Sequence, residues 1–371
     1  MRVGVVGCGL VAQVMHLPYL TELSDRFEIV ALCDLSEPLA AACAERYRVP
    51  RVHTRWADLV ADDLDAVLVL TSGNHAPIAV AAAEAGRHVF VEKPMALSSR
   101  DCTAMIEAAE TAGVRLMVGT MKRYDPAYER LAELIGEVED LRLVRVTTLE
   151  SPYGPYVEHY PLLAGDAPAP ELLTELQQAD ERALDAALGD ADEQTRQCYR
   201  WILLDNLVHE FNALRGVLGE PTEVRSADLS ETCVSVHLRF GTADCHLSWV
   251  DLPGIARYQQ EFAFYGPDRR LTLSLPSPFL RSAPSRLIDE GGRPGTSHSY
   301  ERSEIVSYDE AFKRELVEFS DCIATGREAR TSGADGRADL QLCEAIARAH
   351  QGMPPGLDSA VSAPQGVGGR A

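Results

Sequence analysis

Val89-Phe90-Val91-Glu92-Lys93-Pro94 is the stretch of this 371-residue chain from which its fold is read. A short β-rich run that ends in a charged pair and a proline predicts a buried strand stopping abruptly at a cleft. Proline can neither donate a ladder hydrogen bond nor continue a central strand. The strand end presents a lysine, and the chain holds only three lysines (Lys93, Lys122, Lys313) among 35 basic residues. A chain that otherwise chooses arginine has here used a compact ammonium, which can hydrogen-bond one hydroxyl and adjust its pKa when buried. A surface Lys-Glu pair at a strand end is the plainer alternative.

Composition narrows the classes. The length corresponds to about two domains, and the net charge of -21 argues against nucleic acid or an anionic membrane as partner. Arg2 to Gly7 already reads as a strand rather than a signal peptide, and no apolar run approaches the ~20 residues of a membrane span. A soluble, cytoplasmic enzyme is the expectation. The nine cysteines are scattered without a C-x-x-C pair, so neither a disulfide nor a zinc or other metal site is expected.

Upstream, Val3 to Val6 reads as a strand entering Gly7-Cys8-Gly9-Leu10-Val11-Ala12, a G-x-G-x-x-A turn that opens a helix ending near Leu23. Gly7 makes the turn, Gly9 lets backbone approach a pyrophosphate at the helix N-terminus beside Leu10 and Val11, and Ala12 permits close helix-strand packing. A second strand, Glu28 to Cys33, ends at Asp34, placed to take the adenosine ribose hydroxyls. No basic residue lies among Leu35, Ser36, Glu37 and Pro38 to receive a 2′-phosphate, so NAD is expected rather than NADP. The strand Ala66 to Leu70 opens into Thr71-Ser72-Gly73-Asn74-His75, a loop expected to touch the cofactor. His75 could act as a base there, but a local cap is the favoured reading. A helix Pro77 to Ala85, the strand His88 to Val91, a helix Ser99 to Ala112 capped by Ser98 or Ser99, and a strand Leu116 to Gly119 complete a doubly wound α/β domain.

These elements resemble the glucose-fructose oxidoreductase, inositol dehydrogenase and rhizopine-catabolism (Gfo/Idh/MocA) family. The resemblance rests on the G-x-G-x-x-A turn, Asp34, Asn74-His75, Ala85-Gly86 with His88-Val89, Glu92-Lys93-Pro94, and Gly119 followed by Arg123-Tyr124 and Pro126. It covers the first ~130 residues, and Glu92-Lys93-Pro94 is its most specific part. It implies an NAD(P)-dependent oxidoreductase acting on a sugar or polyol, Lys93 in the active site, a cis peptide before Pro94, and Arg123 and Tyr124 near the substrate. It also implies a homodimer or homotetramer paired through the outer face of a second sheet.

That sheet is expected from the alternating strand Leu141 to Glu150 and from runs at 222–229, 233–240, 245–250, 261–265 and 271–275. The fold class expected is therefore α/β: an N-terminal Rossmann domain over 1–122, and an α+β substrate and oligomerisation domain over 123–330 with a large, mostly antiparallel open sheet. A C-terminal helix over 331–353 packs back on the first domain, and 354–371 reads as a disordered tail. Ala164 to Gln197 carries nine acidic and two basic residues. It reads first as a solvated surface helix or oligomer decoration and second as a lid whose charge suits an amine-bearing substrate.

The second chemical cluster is on a helix from Ile202 to Leu218. Asp205, His209 and Asn212 fall on one polar line opposite Leu203, Leu207, Phe211 and Leu214, a pattern that an ordinary wet face would share. By resemblance, Asp205 is a substrate ligand and His209 the proton-transfer residue. Tyr199-Arg200-Trp201 replaces the glycine-rich run that the family carries just before this aspartate. The expected reaction is hydride transfer between nicotinamide and a carbinol carbon of a sugar, cyclitol, amino sugar or aminoglycoside-like compound. Lys93 would stabilise the developing alkoxide, His209 would take the proton, and Asp205 would fix a neighbouring hydroxyl or orient His209. The alternatives are an NAD-retaining glycosidase, a sugar-nucleotide ketoreductase and a non-catalytic nucleotide sensor. The net charge and the acidic insertion favour an amine-bearing substrate over a phosphorylated or nucleotide-linked one.

Overall fold

A computed structural model describes residues 1–356. Of the disordered tail expected over 354–371, the part beyond Gly356 lies outside the described residues.

The first sheet has six parallel strands, β1 (Arg2–Val6), β2 (Glu28–Cys33), β3 (Arg51–His53), β4 (Ala66–Val69), β5 (His88–Glu92) and β6 (Leu116–Gly119). Their order is β3-β2-β1-β4-β5-β6. β4 is buried at every residue, and β5 at every residue after His88. Such continuous apolar runs are what a parallel sheet covered on both faces requires. The sheet is flanked by α1 (Leu17–Glu22), α2 (Glu37–Tyr47), α3 (Trp56–Val60), α4 (Ala76–Glu84) and α5 (Ser99–Ala112). Ser36 and Ser98 cap α2 and α5 by accepting from Leu39 N–H and Asp101 N–H, and Gly113 closes α5 in the left-handed region. The first helix opens as a π-helical segment over Ala12–His16.

A 3-10 turn, Met121–Tyr124, and α6 (Pro126–Ile135) lead into the second sheet. This sheet holds β7 (Leu143–Glu150), β8 (Glu223–Leu229), β9 (Cys233–Phe240), β10 (Ala243–Asp251), β11 (Gln259–Tyr265), β12 (Arg269–Leu275), β13 (Arg286–Gly292) and β14 (Ser299–Glu304). The order is β14-β13-β12-β11-β7-β10-β9-β8, and every pair is antiparallel except β7 with β10. β13 and β14 extend the sheet beyond the strands expected from sequence. β14 is almost wholly exposed and β13 buries only two residues, so neither shows an apolar alternation.

The insertion between β7 and β8 holds α7 (Gly154–Val157), α8 (Pro170–Leu188) and α9 (Glu193–Cys198), then a π-helical segment Tyr199–Leu207 running into α10 (Val208–Leu218). α8 is not a free surface helix. It buries Asp180, Ala183, Leu184, Ala187 and Leu188, and packs against α5 and α12 (Gly333–His350). α11 (Ala311–Thr325) covers the 3-10 turn, and α12 lies between α5 and β8, so the chain end ties both sheets together. All nine cysteines are free. Among the described residues, no helix is long and apolar enough to cross a membrane.

Candidate active site

The carboxyl end of β5 reaches the π-helical segment Tyr199–Leu207, which runs on into α10. Lys93 stands at the end of β5 beside a cis Lys93-Pro94 peptide. Its Nζ donates to the Asp205 carbonyl at 2.6 Å and to Asp205 Oδ1 at 2.9 Å. An ammonium has three N–H groups, so among the described residues one is left uncommitted. Asp205 keeps 55% of its side chain exposed. It sits on a π-helical turn, a geometry that proteins use at functional sites because it displaces a side chain from the regular helical register.

His209 follows one turn later and is half-buried. Burial first, then the charges of Lys122 and Lys93, hold its pKa well below the usual imidazole value. It is therefore neutral at neutral pH, the state that a proton acceptor needs. Its Nδ1 is buried and has no hydrogen-bond partner among the described residues. Two lysines thus bear on one neutral imidazole, with Asp205 bonded to one of them.

Lys122 is a site residue that the reading of the sequence passed over. The scarcity of lysine that singled out Lys93 was a signal that applied equally to Lys122. Lys122 is buried on the turn after β6, its Nζ 3.9 Å from Glu210 Oε2. Burial pushes its pKa down to about 8, Lys93 acts in the same direction, and Glu210 and Glu150 oppose. Glu210 is held below by Thr148 Oγ1 at 2.6 Å and by Gln260 Nε2.

Several expected contacts fall elsewhere. Asn212 is off the Asp205–His209 face. Its Nδ2 donates to Asp335 and Asp339 at 2.7 Å each, inside the junction of α10 with α12. Arg123 donates to the Asn212 carbonyl at 3.2 Å and pairs with Asp335, under Gly216. Tyr124 is fully buried, its hydroxyl 2.8 Å from Thr331 Oγ1 and its ring beneath the Arg330 guanidinium. These two residues join the C-terminal helix to the body rather than lining the Lys93–His209 cleft. Tyr199 turns inward and donates to the Leu97 carbonyl at 3.2 Å, while Arg200 pairs with Asp180 at 2.5 Å. Their bulk is thus taken up by the first domain and the insertion.

The nucleotide end fits a dinucleotide on its own geometry. Gly7 has φ +102°, and a Cβ there would lie 2.8 Å from the Leu70 carbonyl, so only glycine serves. Among the described residues, nothing lies within 4 Å of a would-be Cβ on Gly9, which leaves its backbone open to a close-approaching phosphate beside Leu10 and Val11. Asp34 is fixed by Cys8 N–H at 2.8 Å on Oδ2 and by Ser36 N–H at 2.9 Å on Oδ1. A carboxylate oxygen accepts more than one hydrogen bond, so both remain available to a ribose diol. Thr71 and Ser72 rim this cleft, Ser72 on the surface.

Asn74, His75 and Glu92 are otherwise engaged. Asn74 donates its side-chain N–H to Asp101 at 2.9 Å and its backbone N–H to Asp180 at 3.1 Å. His75 is 1% exposed, its ring nitrogens 2.8 Å and 2.6 Å from the carbonyls of Pro94 and Thr71. It is a strut between two loops. Glu92 accepts from Lys93 N–H at 3.0 Å and lies 2.6 Å from His16 Nε2. With Glu315, these form a buried group whose donor atoms lie within 4.8 Å of one another, the kind of cluster that could hold a metal ion. His16 and Glu92 are, however, bonded directly to each other.

Residues 1–120 match a family model described as an oxidoreductase family with an NAD-binding Rossmann fold. A myo-inositol 2-dehydrogenase of Thermotoga maritima is 26% identical over 359 residues, 92% of this chain and 94% of that one. An inositol 2-dehydrogenase 3 of Saccharopolyspora erythraea is 42% identical over 137 residues, 36% of this chain and 40% of its own. Among solved structures, levoglucosan dehydrogenase in complex with NADH superposes with TM-score 0.74 at 20% identity, covering 95% and 98% of the two chains. A 3-ketoreductase of Actinomadura kijaniata with NADP and TDP-benzene gives 0.71 at 21%, covering 94% and 97%. At such identities the structural likeness speaks for the fold.

Proposed function

Because the chain belongs to the Gfo/Idh/MocA family of oxidoreductases, we propose that it uses NAD to move a hydride to or from a carbinol carbon of a neutral cyclitol or sugar. The observation that carries this reading is the meeting of Lys93, Asp205 and a neutral His209 in one cleft at the strand ends. When bound, the nicotinamide supplies the hydride acceptor or donor. Gly9, Leu10, Val11, Asp34, Thr71 and Ser72 are the residues that would hold the dinucleotide.

In the oxidation direction, His209 accepts the hydroxyl proton. The uncommitted N–H of Lys93 stabilises the negative charge that grows on the same oxygen, a contribution worth about 10²–10³ in rate for a single well-placed donor. Asp205 orients Lys93 and presents a carboxylate to a neighbouring hydroxyl. Lys122, charged below about pH 8, adds a second positive field and keeps His209 neutral.

The expectation of an amine-bearing substrate rested on the net charge of -21 together with the acidic insertion. α8 bears on the nucleotide cleft through Asn74, so its charge does not speak for the substrate. Two lysines in the cleft also offer an amine little counter-charge, which supports a neutral polyol. The test is a panel of inositols, hexoses, amino sugars and nucleotide-linked sugars with NAD and NADP, read at the NADH absorbance band. NADH formed from a neutral polyol is expected. Turnover confined to amino or nucleotide-linked sugars, or net hydrolysis of a glycoside without NADH release, overturns the reading.

A further inference from the structure

The insertion after β7 does more than pack on the first domain. Gln13, buried at the start of the first helix, holds Leu163 from both sides. Leu163 N–H donates to Gln13 Oε1 at 2.7 Å, and the Leu163 carbonyl accepts from Nε2 at 3.1 Å. The same amide donates to the Cys8 carbonyl at 2.9 Å, and Cys8 N–H is one of the two groups that fix Asp34. Three residues on, Asp166 N–H donates to Ser36 Oγ at 2.9 Å, and Ser36 N–H is the other group that fixes Asp34.

Between these two points Gly165 lies flat on the corner. A Cβ there would stand 2.5 Å from Ser36 Oγ and 2.7 Å from Leu39 Cβ. Ser36 is accordingly only 5% exposed, although Leu35, Glu37 and Pro38 around it lie on the surface. Farther along, α8 grips the other rim of the cleft. Asp180 accepts Asn74 N–H at 3.1 Å, and its Oδ2 would be 3.1 Å from a Cβ on Gly73.

We propose that Leu163–Asp166 is a strap that selects the cofactor, closing the space beside Asp34 so that an adenosine ribose with a free 2′-hydroxyl fits and a 2′-phosphate does not. This rests on the NAD reading above and names the residues that enforce it. A 2′-phosphate needs room beside the diol and a cation to neutralise it. The strap fills the room by seating on Ser36 and Leu39. Within the turn after β2 (34–38) and the strap (163–166), every charged residue is acidic: Asp34, Glu37 and Asp166, and like charges brought together at a binding site are disfavoured. Selection therefore has two sources: Asp34 binds the diol, and the strap denies the phosphate its place.

The test titrates the full chain with NADH and with NADPH by nucleotide fluorescence, which needs no substrate. The wild type is expected to prefer NADH by at least about 100-fold, which corresponds to about 2.7 kcal/mol. L163P/D166P deletes both strap N–H donors and leaves Gln13, Ser36 and Asp34 in place. G165V lifts the strap by a clash instead. In each variant the preference is expected to fall at least tenfold, chiefly through tighter NADPH binding, with melting temperature held near wild type because 163–166 is a loop with little buried surface. If both variants keep the wild-type ratio while Asp34→Ser abolishes it, the strap inference is overturned and the NAD reading stands. If the wild type binds NADPH as tightly as NADH, the NAD reading itself falls.

Discussion

Replacing Lys122 by methionine tests whether the lysine-rich floor of the cleft is an energetic unit. The Lys122 and Glu210 side chains are 6% and 1% exposed, with Nζ and Oε2 3.9 Å apart. At an effective dielectric of about 20, two unit charges at that separation attract by about 4 kcal/mol. Removing one partner of a buried pair leaves the other uncompensated, at a typical cost of about 3–5 kcal/mol. K122M is therefore expected to lower the urea midpoint substantially, and K122M/E210Q to recover most of the loss, because a glutamine keeps the bonds to Thr148 and Gln260 without the charge. Equilibrium unfolding followed by tryptophan fluorescence reads both variants. K122M unfolding within experimental scatter of wild type, or a double variant no more stable than K122M, refutes the reasoning.

Three further outcomes are expected. The kcat/KM profile for oxidation should be bell-shaped: the acid limb, where His209 gains a proton, lies below the ordinary imidazole value of about 6.5, and the alkaline limb, where Lys122 loses its charge, lies near pH 8. In K122M the alkaline limb should vanish and the acid limb move up. Both carboxylate oxygens of Glu315 are buried without a hydrogen-bond partner among the described residues, and burial, then Glu92, pushes its pKa well above the usual range. A carboxyl whose folded pKa is raised stabilises the fold below its unfolded pKa of about 4.3 and costs progressively more above it, so E315Q should raise the melting temperature at pH 8 and leave it nearly unchanged at pH 4. Arg215→Ala removes the guanidinium paired with Asp339 and Glu220 at the junction of α10 and α12; it should destabilise the chain by several kcal/mol while NADH binding survives in the fraction that stays folded.

The nucleotide-binding half was legible because its signals are local. Gly7 needs a positive φ, β4 and β5 are buried on both faces, and Asp34 follows a strand end directly. Lys93 stood out by residue type, whereas Asp205 and His209 were picked out only by family resemblance, since their spacing is that of any wet helix face; in the structure Lys93 bonds Asp205 and its charge bears on His209. Misreadings arose where tertiary contacts override local pattern. The polar line through Asn212 breaks because Asp205 lies on a π-helical turn and α12 brings Asp335 and Asp339 onto the other side of α10. Arg123 and Tyr124 serve contacts with Asp335 and Thr331, more than 200 residues away in sequence, and no short window announces such partners. The acidity of 164–197 suggested a solvent face or a substrate lid. The contacts at its entry, from Leu163 and Asp166, are made by backbone groups whose side chains carry no pattern.

The most direct test of the central claim is single-turnover hydride transfer by K93A and H209A, with the polyol that the substrate panel identifies and with NADH affinity measured in parallel. The account predicts that each variant loses at least about 10²-fold in the rate of NADH formation while NADH binds within a few-fold of wild type. Transfer at near wild-type rate in either variant, with the cofactor bound, would contradict the assignment of Lys93 and His209 as the residues that hold the oxygen and move its proton.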